Sequence, residues 1–402
     1  MRLLSLTLAI AASVLAVDPG YIVLLRDGVN VDEHLYSLRQ EFAASQRTED
    51  NGIIHIYESF NGYAAKMDPN VLSILTNSDD ILAIEANKEY SIMDVQSSPP
   101  SWGLPRISSR NAFTLNTPYF YNEKAAGQGV DVYVVDTGVR IEHEDFDGRA
   151  VWGITVPKGD KDADGQGHGT HVATTIAGNK YGVAKQAKII AVKVLKDNGS
   201  GNLFDVLKGI DWVAKQKETT KRPSVINMSL GGPKSFIINF VVELAVKKGV
   251  HVAVAAGNDN KDACQYSPAS ANGVVSTGAS NINDERAFFS NFGECVTLFA
   301  PGLNITAGWK DSNTDSKTIS GTSMASPHAA GVLALILSEK DMTPAESKEK
   351  IVSLATKDKL TKLGDGSPNL LLFNGYQKSI SAKKSFTGFK IQRLENNNNV
   401  YF

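Results

Sequence analysis

The chain has 402 residues, 42% of them hydrophobic and 21% charged, with 34 glycines. That length allows two or three domains around large cores, and the composition suits a globular α/β protein with many tight turns. With 41 basic against 43 acidic residues, no charge excess marks it for nucleic acid or another polyanion.

Residues 1–16 read as a secretory signal. Arg2 is the charged start, Leu3 to Leu15 the apolar stretch, and Val14-Leu15-Ala16 a small-residue cleavage site. The apolar stretch is too short to span a bilayer, and no later segment is long enough. The mature chain is therefore expected to have no membrane span and to follow the secretory route, ending outside the cell or in a vacuole. Residues 20–93 follow as strand Tyr21–Leu25, helix Val31–Ala44, strands Ile53–Tyr57 and Tyr63–Lys66, a short helix opened by Asp68-Pro69, and strand Ile81–Glu85. The order β-α-β-β-α-β is that of a ferredoxin-like split unit. Ser97-Ser98-Pro99-Pro100-Ser101 then reads as a linker.

From about residue 126 short β-branched runs alternate with amphipathic stretches. Val130–Val135, Ile189–Leu195, Val225–Met228 and Val250–Ala256 are the runs; Leu203–Lys217 and Ser235–Lys248 are the helices. This pattern predicts a mostly parallel sheet with helices on both faces, a three-layer α/β/α domain. Ligands of such sheets sit beyond the carboxyl ends of the strands. Asp136 follows the first run, and Ser229-Leu230-Gly231-Gly232 the third. Asn258 ends Ala255-Ala256-Gly257-Asn258 after the fourth. His168 lies in Asp164-Gly165-Gln166-Gly167-His168-Gly169-Thr170-His171, ahead of a helix beginning near Thr170. Taken singly, these are ordinary turn and cap residues.

The stretch Gly321-Thr322-Ser323-Met324-Ala325-Ser326-Pro327-His328 precedes the apolar run Ala329–Leu337. Pro327 is tolerable there only within a first helical turn, where its missing N–H is not needed. Ser323 alone reads as an N-cap, yet a helix N-terminus also favours a developing negative charge. Asp136, His168, Asn258 and Ser323 together supply each group that acyl transfer needs. Serine attacks, histidine takes its proton, a carboxylate orients the imidazole, and an amide with a backbone N–H holds the oxyanion.

These motifs, with Trp102-Gly103-Leu104, Tyr133-Val134-Val135-Asp136-Thr137-Gly138 and Asp197-Asn198-Gly199-Ser200-Gly201, resemble the subtilisin-like serine proteases, and among them the proteinase K and cerevisin branch, from about Trp102 to Tyr376. The resemblance implies a protease domain over residues 95–376. In it Ser323 is the nucleophile, His168 the base, Asp136 the orienting carboxylate and Asn258 the oxyanion donor. It implies a pocket lined by Ser229, Leu230, Gly231, Ala255, Ala256 and Gly257, without a charged base. It also gives Gly199-Ser200-Gly201 the role of a strand edge for an extended peptide. Broad specificity with apolar or aromatic preference before the scissile bond follows. Residues 17–94 become an inhibitory propeptide, cleaved near Asp94-Val95, so the partners are peptide and protein substrates and the chain's own propeptide. A monomer needing no catalytic cofactor is expected.

Departures from the family pattern accompany these matches. Thr297 stands where relatives often carry a calcium-binding aspartate, which puts that structural calcium in doubt, and no metal ligands are assigned. Thr174 stands where glycine is usual, and the cysteine that some relatives carry after the second histidine is absent. Cys264 and Cys295, the only cysteines, match positions paired in some relatives. Asn198 and Asn304 head glycosylation sequons beside turns, while Asn227-Met228-Ser229 follows a buried-looking strand and is expected to be unused. The tail 377–402 is polar and low in complexity, and is expected to be disordered or processed.

Two other readings compete. One is an inactive homologue that only binds peptides in the groove. The other is a metal site on His168 and His171, whose i, i+3 spacing permits it although the HExxH glutamate is missing. For the protease, a base that must be neutral predicts a neutral-to-alkaline optimum.

Overall fold

The computed structural model describes residues 20–45, 51–57, 61–86, 94–97, 99–111, 113–114 and 116–376. The expected signal segment and the tail 377–402 lie outside the described residues. Two compact units divide the chain, residues 1–92 and 93–402.

The first unit comprises β1 (Tyr21–Leu25), α1 (Val31–Ala44), β2 (Gly52–Tyr57), β3 (Gly62–Lys66), α2 (Pro69–Thr76) and β4 (Ile81–Ala86). Its strands pair antiparallel in the order β2-β3-β1-β4, the expected ferredoxin-like arrangement. Both helices start on side-chain caps. Asn30 accepts from the Asp32 and Glu33 N–H groups, and Asp68 from those of Asn70 and Val71. Val23, Leu25, Leu35, Leu38, Tyr63 and Val71 form the core of this unit.

In the second unit come β5 (Asp94–Gln96), α3 (Gly103–Ile107), β6 (Tyr119–Tyr121), β7 (Asp131–Asp136), β8 (Ala150–Thr155), α4 (His168–Ala177), β9 (Lys188–Lys193), α5 (Leu203–Thr220) and β10 (Ser224–Met228). They are followed by β11 (Gly232–Pro233), α6 (Phe236–Lys247), β12 (His251–Ala255), β13 (Tyr266–Ser267), β14 (Val275–Ser280) and β15 (Leu298–Pro301). The last elements among the described residues are β16 (Ile305–Gly308), β17 (Ser316–Ile319), α7 (Thr322–Glu339), α8 (Pro344–Leu354), β18 (Thr356–Lys357) and β19 (Leu370–Leu371). Nine strands form one sheet in the order β18-β19-β15-β14-β12-β10-β7-β9-β8. Every pairing in it is parallel except β18 with β19.

Side chains alternate across the sheet. Val132 and Val134 of β7 join the core shared with α4 and α7, while Tyr133 and Val135 join the core shared with α5 and α6. Each such valine, fully buried, contributes about 1.5–3 kcal/mol relative to exposure. Burial on both faces explains why these strands read as unbroken apolar runs. Helix α7 is buried on nearly every side from Met324 to Leu337, so its sequence carries small and apolar residues with little polar face. The three-layer α/β/α domain is as expected.

One expectation about α7 needs correction. The helix begins at Thr322 behind Gly321, so Pro327 lies inside it, beyond the first turn. The carbonyl that Pro327 cannot satisfy is that of Ser323, four residues back. It accepts the Ser229 hydroxyl instead, at 2.8 Å. A tertiary donor replaces the missing helical one.

Candidate active site

Asp136 is the last residue of β7 and fully buried. One carboxylate oxygen accepts the Thr137 N–H at 2.7 Å and lies 2.8 Å from His168 Nδ1. His168 opens α4 behind Gly167, whose φ of 101° is a left-handed conformation suited to glycine. Burial alone would lower the imidazole pKa. The Asp136 charge and hydrogen bond, with a smaller contribution from Asp164, outweigh it, and the pKa is raised.

Ser323 is the second residue of α7, and the cap residue before Thr322 is a glycine with no side chain to give. The N-cap reading of Ser323 is thus replaced: Gly321 occupies that place. The Ser323 hydroxyl donates to the Ser229 carbonyl at 3.0 Å, while the Ser229 hydroxyl donates back to the Ser323 carbonyl. No hydrogen bond joins Ser323 to His168. Behind this pair, Ser326 donates to Asn227 Oδ1 at 2.8 Å and Asn227 Nδ2 to Ser229 Oγ at 2.9 Å. The third sequon is therefore buried and engaged, as its neighbouring strand suggested.

Asn258 follows β12, and its Oδ1 accepts both the N–H and the hydroxyl of Thr322, each at 2.8 Å. Two donors on one atom fix which end of the amide is oxygen and leave Nδ2 turned away from them. A Cβ placed on Gly321 would lie 3.5 Å from Ser323 N and 3.6 Å from Asn258 Nδ2. These two N–H-bearing nitrogens therefore lie within 3.6 Å of one point.

All nine expected pocket residues line two cavities that share Leu230, Gly231, Gly232 and Pro233. Gly199, Ser200, Gly201 and Ser229 belong to the first, of about 580 Å³, which also takes in His168, Thr137 and Gln166. Ala255, Ala256 and Gly257 belong to the second, of about 430 Å³, with Asn258, Thr322 and Ser323. Two details differ from expectation. The segment Gly199-Ser200-Gly201 is not a strand: it leaves a turn closed by the Lys196 N–H on the Ser200 carbonyl at 2.8 Å. In addition, the second cavity has a charged rim, because exposed Asp259 lines it beside Tyr266. Partial burial and the Asp259 carboxylate raise the Tyr266 pKa.

Sequence reading missed Lys193, whose ammonium is fully buried. It donates to the carbonyls of Thr137 and Leu195 and to Asp197 at 2.7–2.9 Å, with Asp160 at 3.4 Å. It thereby ties the turn after Asp136 to the segment that leads into Gly199. Within a strand-like run, a lysine gives no sign of such partners.

Of His171 only Nδ1, buried without a hydrogen-bond partner, is open to a metal. Its Nε2 faces the Ile305 and Lys317 carbonyls at 3.0 and 3.1 Å, so that nitrogen carries the proton and cannot ligate. Thr297 accepts the Ser276 N–H at 3.1 Å and brings no carboxylate, which does not fit a calcium cage there. Among the described residues no group of three or more His, Cys, Asp or Glu is placed to hold a metal. Cys264 and Cys295 are disulfide-bonded, with Cα atoms 5.2 Å apart. Asn198 and Asn304 are exposed. No helix among the described residues is long and apolar enough to cross a membrane.

Comparison with known proteins gives the family. Residues 127–375 match the subtilase family, and residues 20–93 match the peptidase inhibitor I9 family. A subtilisin-like protease of Coccidioides posadasii is 48% identical over 353 residues, covering 81% of this chain and 71% of that protein. The subtilisin-like serine protease Pen ch 18 of Penicillium rubens is 48% identical over 343 residues, covering 80% and 69%. The crystal structure of a cold-adapted subtilisin-like serine proteinase superposes with a TM-score of 0.64 at 45% identity, covering 69% of this chain and 98% of that one. The chain belongs to the subtilase family of serine proteases, and an inhibitor I9 segment precedes its peptidase domain.

Proposed function

We propose that this chain is the zymogen of a serine endopeptidase in which Asp136, His168 and Ser323 form the catalytic triad. The Ser323 N–H and Asn258 Nδ2 form the oxyanion hole. The observation that carries this reading is the nearness of those two nitrogens to one point beside a serine at a helix start, together with the 2.8 Å His168–Asp136 bond and a first cavity that His168 shares with Ser229, the partner of the Ser323 hydroxyl.

Rotation about the Ser323 Cα–Cβ bond, between staggered wells, takes the hydroxyl from the Ser229 carbonyl toward His168. Ser323 Oγ then attacks the substrate carbonyl carbon as its proton passes to His168 Nε2. Asp136 stabilises the imidazolium, and the oxyanion takes hydrogen bonds from Ser323 N and Asn258 Nδ2. Collapse breaks the C–N bond, His168 gives its proton to the leaving amine, and water repeats the sequence on the acyl-enzyme. Removing Asn258's amide donor is expected to lower kcat by about 100- to 1,000-fold.

Extended peptides and unfolded proteins are the substrates. The residue before the scissile bond enters the second cavity, where apolar and aromatic side chains are preferred and the Asp259 rim also admits basic ones. The preceding residues lie along Gly199-Ser200-Gly201. Residues 17–94 act as the inhibitory propeptide and the cut falls near Asp94-Val95, leaving 95–376 as a monomeric protease domain. No cofactor takes part in catalysis. A signal at 1–16 sends the chain out of the cell, or to a vacuole, with Asn198 and Asn304 open to glycosylation.

Ser323→Ala tests the mechanism. The variant is expected to remain as an uncleaved precursor and to leave casein intact; self-maturation with casein digestion would refute it. A serine-reactive phosphonate separates the enzyme from an inactive peptide-binding homologue. Label on Ser323 after propeptide removal supports catalysis, and its absence supports the binder.

A further inference from the structure

Asp164 precedes His168 by four residues and is 7% exposed, yet its carboxylate accepts five hydrogen bonds. One oxygen takes the Thr137 hydroxyl at 2.8 Å and the Gly167 and Gln166 N–H groups at 2.7 and 3.2 Å. The other takes the N–H and hydroxyl of Thr170 at 2.9 and 2.6 Å. The carboxylate thus closes the N-terminus of α4, where backbone donors are free and the helix dipole favours a negative charge.

The same carboxylate also reaches the strand that carries Asp136. Thr137, which donates to Asp164, accepts the Gly169 N–H at 2.9 Å, while its own N–H donates to Asp136. Thr170 in turn accepts the Arg140 N–H at 2.9 Å. Two segments are cross-tied in this way: the turn 136–140 and the first turn of α4. They also touch directly, since a Cβ on Gly169 would lie 2.0 Å from the Gly138 carbonyl oxygen. The imidazole of His168 and the carboxylate of Asp136 sit on the two segments so joined.

We propose that Asp164 is a positioning residue for the reaction, setting the His168 imidazole against Asp136 through Thr137 and the first turn of α4. This rests on the triad reading above. Asp164→Asn keeps the shape but replaces one acceptor by an NH2 group, which faces donors and breaks the frame. Thr137→Val is the second variant: it cuts the link to Gly169 while leaving Asp164 bonded to Gly167 and Thr170. Thr137→Ser keeps the hydroxyl. The ionisable groups facing His168 are Asp136 on β7, Asp164 itself, and His171 on α4, whose pKa is pushed down to about 3, largely by burial.

The experiment measures kcat and KM per phosphonate-titrated active site, with pH profiles, on enzyme freed of its propeptide in trans by wild-type protease. A misplaced general base costs on the order of 100-fold. Both Asp164→Asn and Thr137→Val are expected to lose about 10- to 100-fold in kcat with KM within threefold, and Thr137→Ser to remain near wild type. Asp164→Asn should also move the acid limb of the profile to lower pH, because a negative charge beside His168 is gone. Should Asp164→Asn not fold, Thr137→Val decides. Loss of stability with kcat per titrated site within twofold of wild type would make the frame merely structural and overturn the proposal. An absence of titratable Ser323 in the wild type would instead overturn the triad.

Discussion

Gly321 matters for the space that its missing side chain leaves. A Cβ there meets nothing closer than 3.5 Å, so alanine would fit, but it would stand between Ser323 N and Asn258 Nδ2. Gly321→Ala is expected to lower kcat by about 100-fold, comparable with losing one oxyanion donor, while the melting temperature stays within a few degrees. Calorimetry paired with active-site-titrated kinetics checks both halves. Asp259 acts at longer range. As an exposed carboxylate it contributes up to about 1 kcal/mol to a cationic substrate. Asp259→Ser should therefore reduce kcat/KM for a peptide with lysine before the scissile bond by up to about fivefold and leave the leucine peptide unchanged. Asp136 and Asn258 were legible in the sequence because each ends an apolar run. Asp164, Thr322 and the Ser229 hydroxyl were not, since Asp164 lies in a glycine-rich turn and Ser229 meets Ser323 across 94 positions of sequence.

At the scale of elements, α4 and α7 show how far sequence periodicity reaches. The four strands and two helices that alternating runs placed, β7, β9, β10, β12, α5 and α6, fall within a few residues of those runs, because burial on two faces leaves an apolar signature, whereas β8, β14, β15 and α8 were not placed. Helix α7 was misjudged around Pro327, since local rules charge proline with a lost bond and cannot see the Ser229 hydroxyl that restores it. Thr174 is the counterpart on α4. Its hydroxyl accepts the buried Gly308 N–H of β16 at 2.9 Å and donates back to helix carbonyls. Where glycine is usual, this chain thus gains a tie between helix and hairpin. Thr174→Val should strand the Gly308 N–H and cost about 1–3 kcal/mol, read as a lower denaturation midpoint, whereas Thr174→Ser should be near neutral.

For the whole molecule, acid is the weakness. His171, His251 and His328 are 0–2% exposed, and burial pushes their pKa values down to about 3, 4 and 4. The unfolded chain binds protons at these sites near pH 6.5, so stability is complete above that value and falls as the pH drops toward 4. Each contributes a slope of about 1.4 kcal/mol per pH unit. His168, whose pKa is raised, opposes them, but is one against three. Thermal melts of phosphonate-blocked enzyme should be flat above pH 7 and descend steeply below 6.5; equal midpoints at pH 7 and 5 would refute this. Salt acts differently. Dissolved ions weaken attraction between charges that water reaches, and the ammonium of Lys193 is sealed from water. Its bonds to the Thr137 and Leu195 carbonyls should hold equally in dilute buffer and in brine, with only the exposed Asp197 end screened, so a concentrated electrolyte should change how charged substrates arrive with little loosening of the groove that receives them.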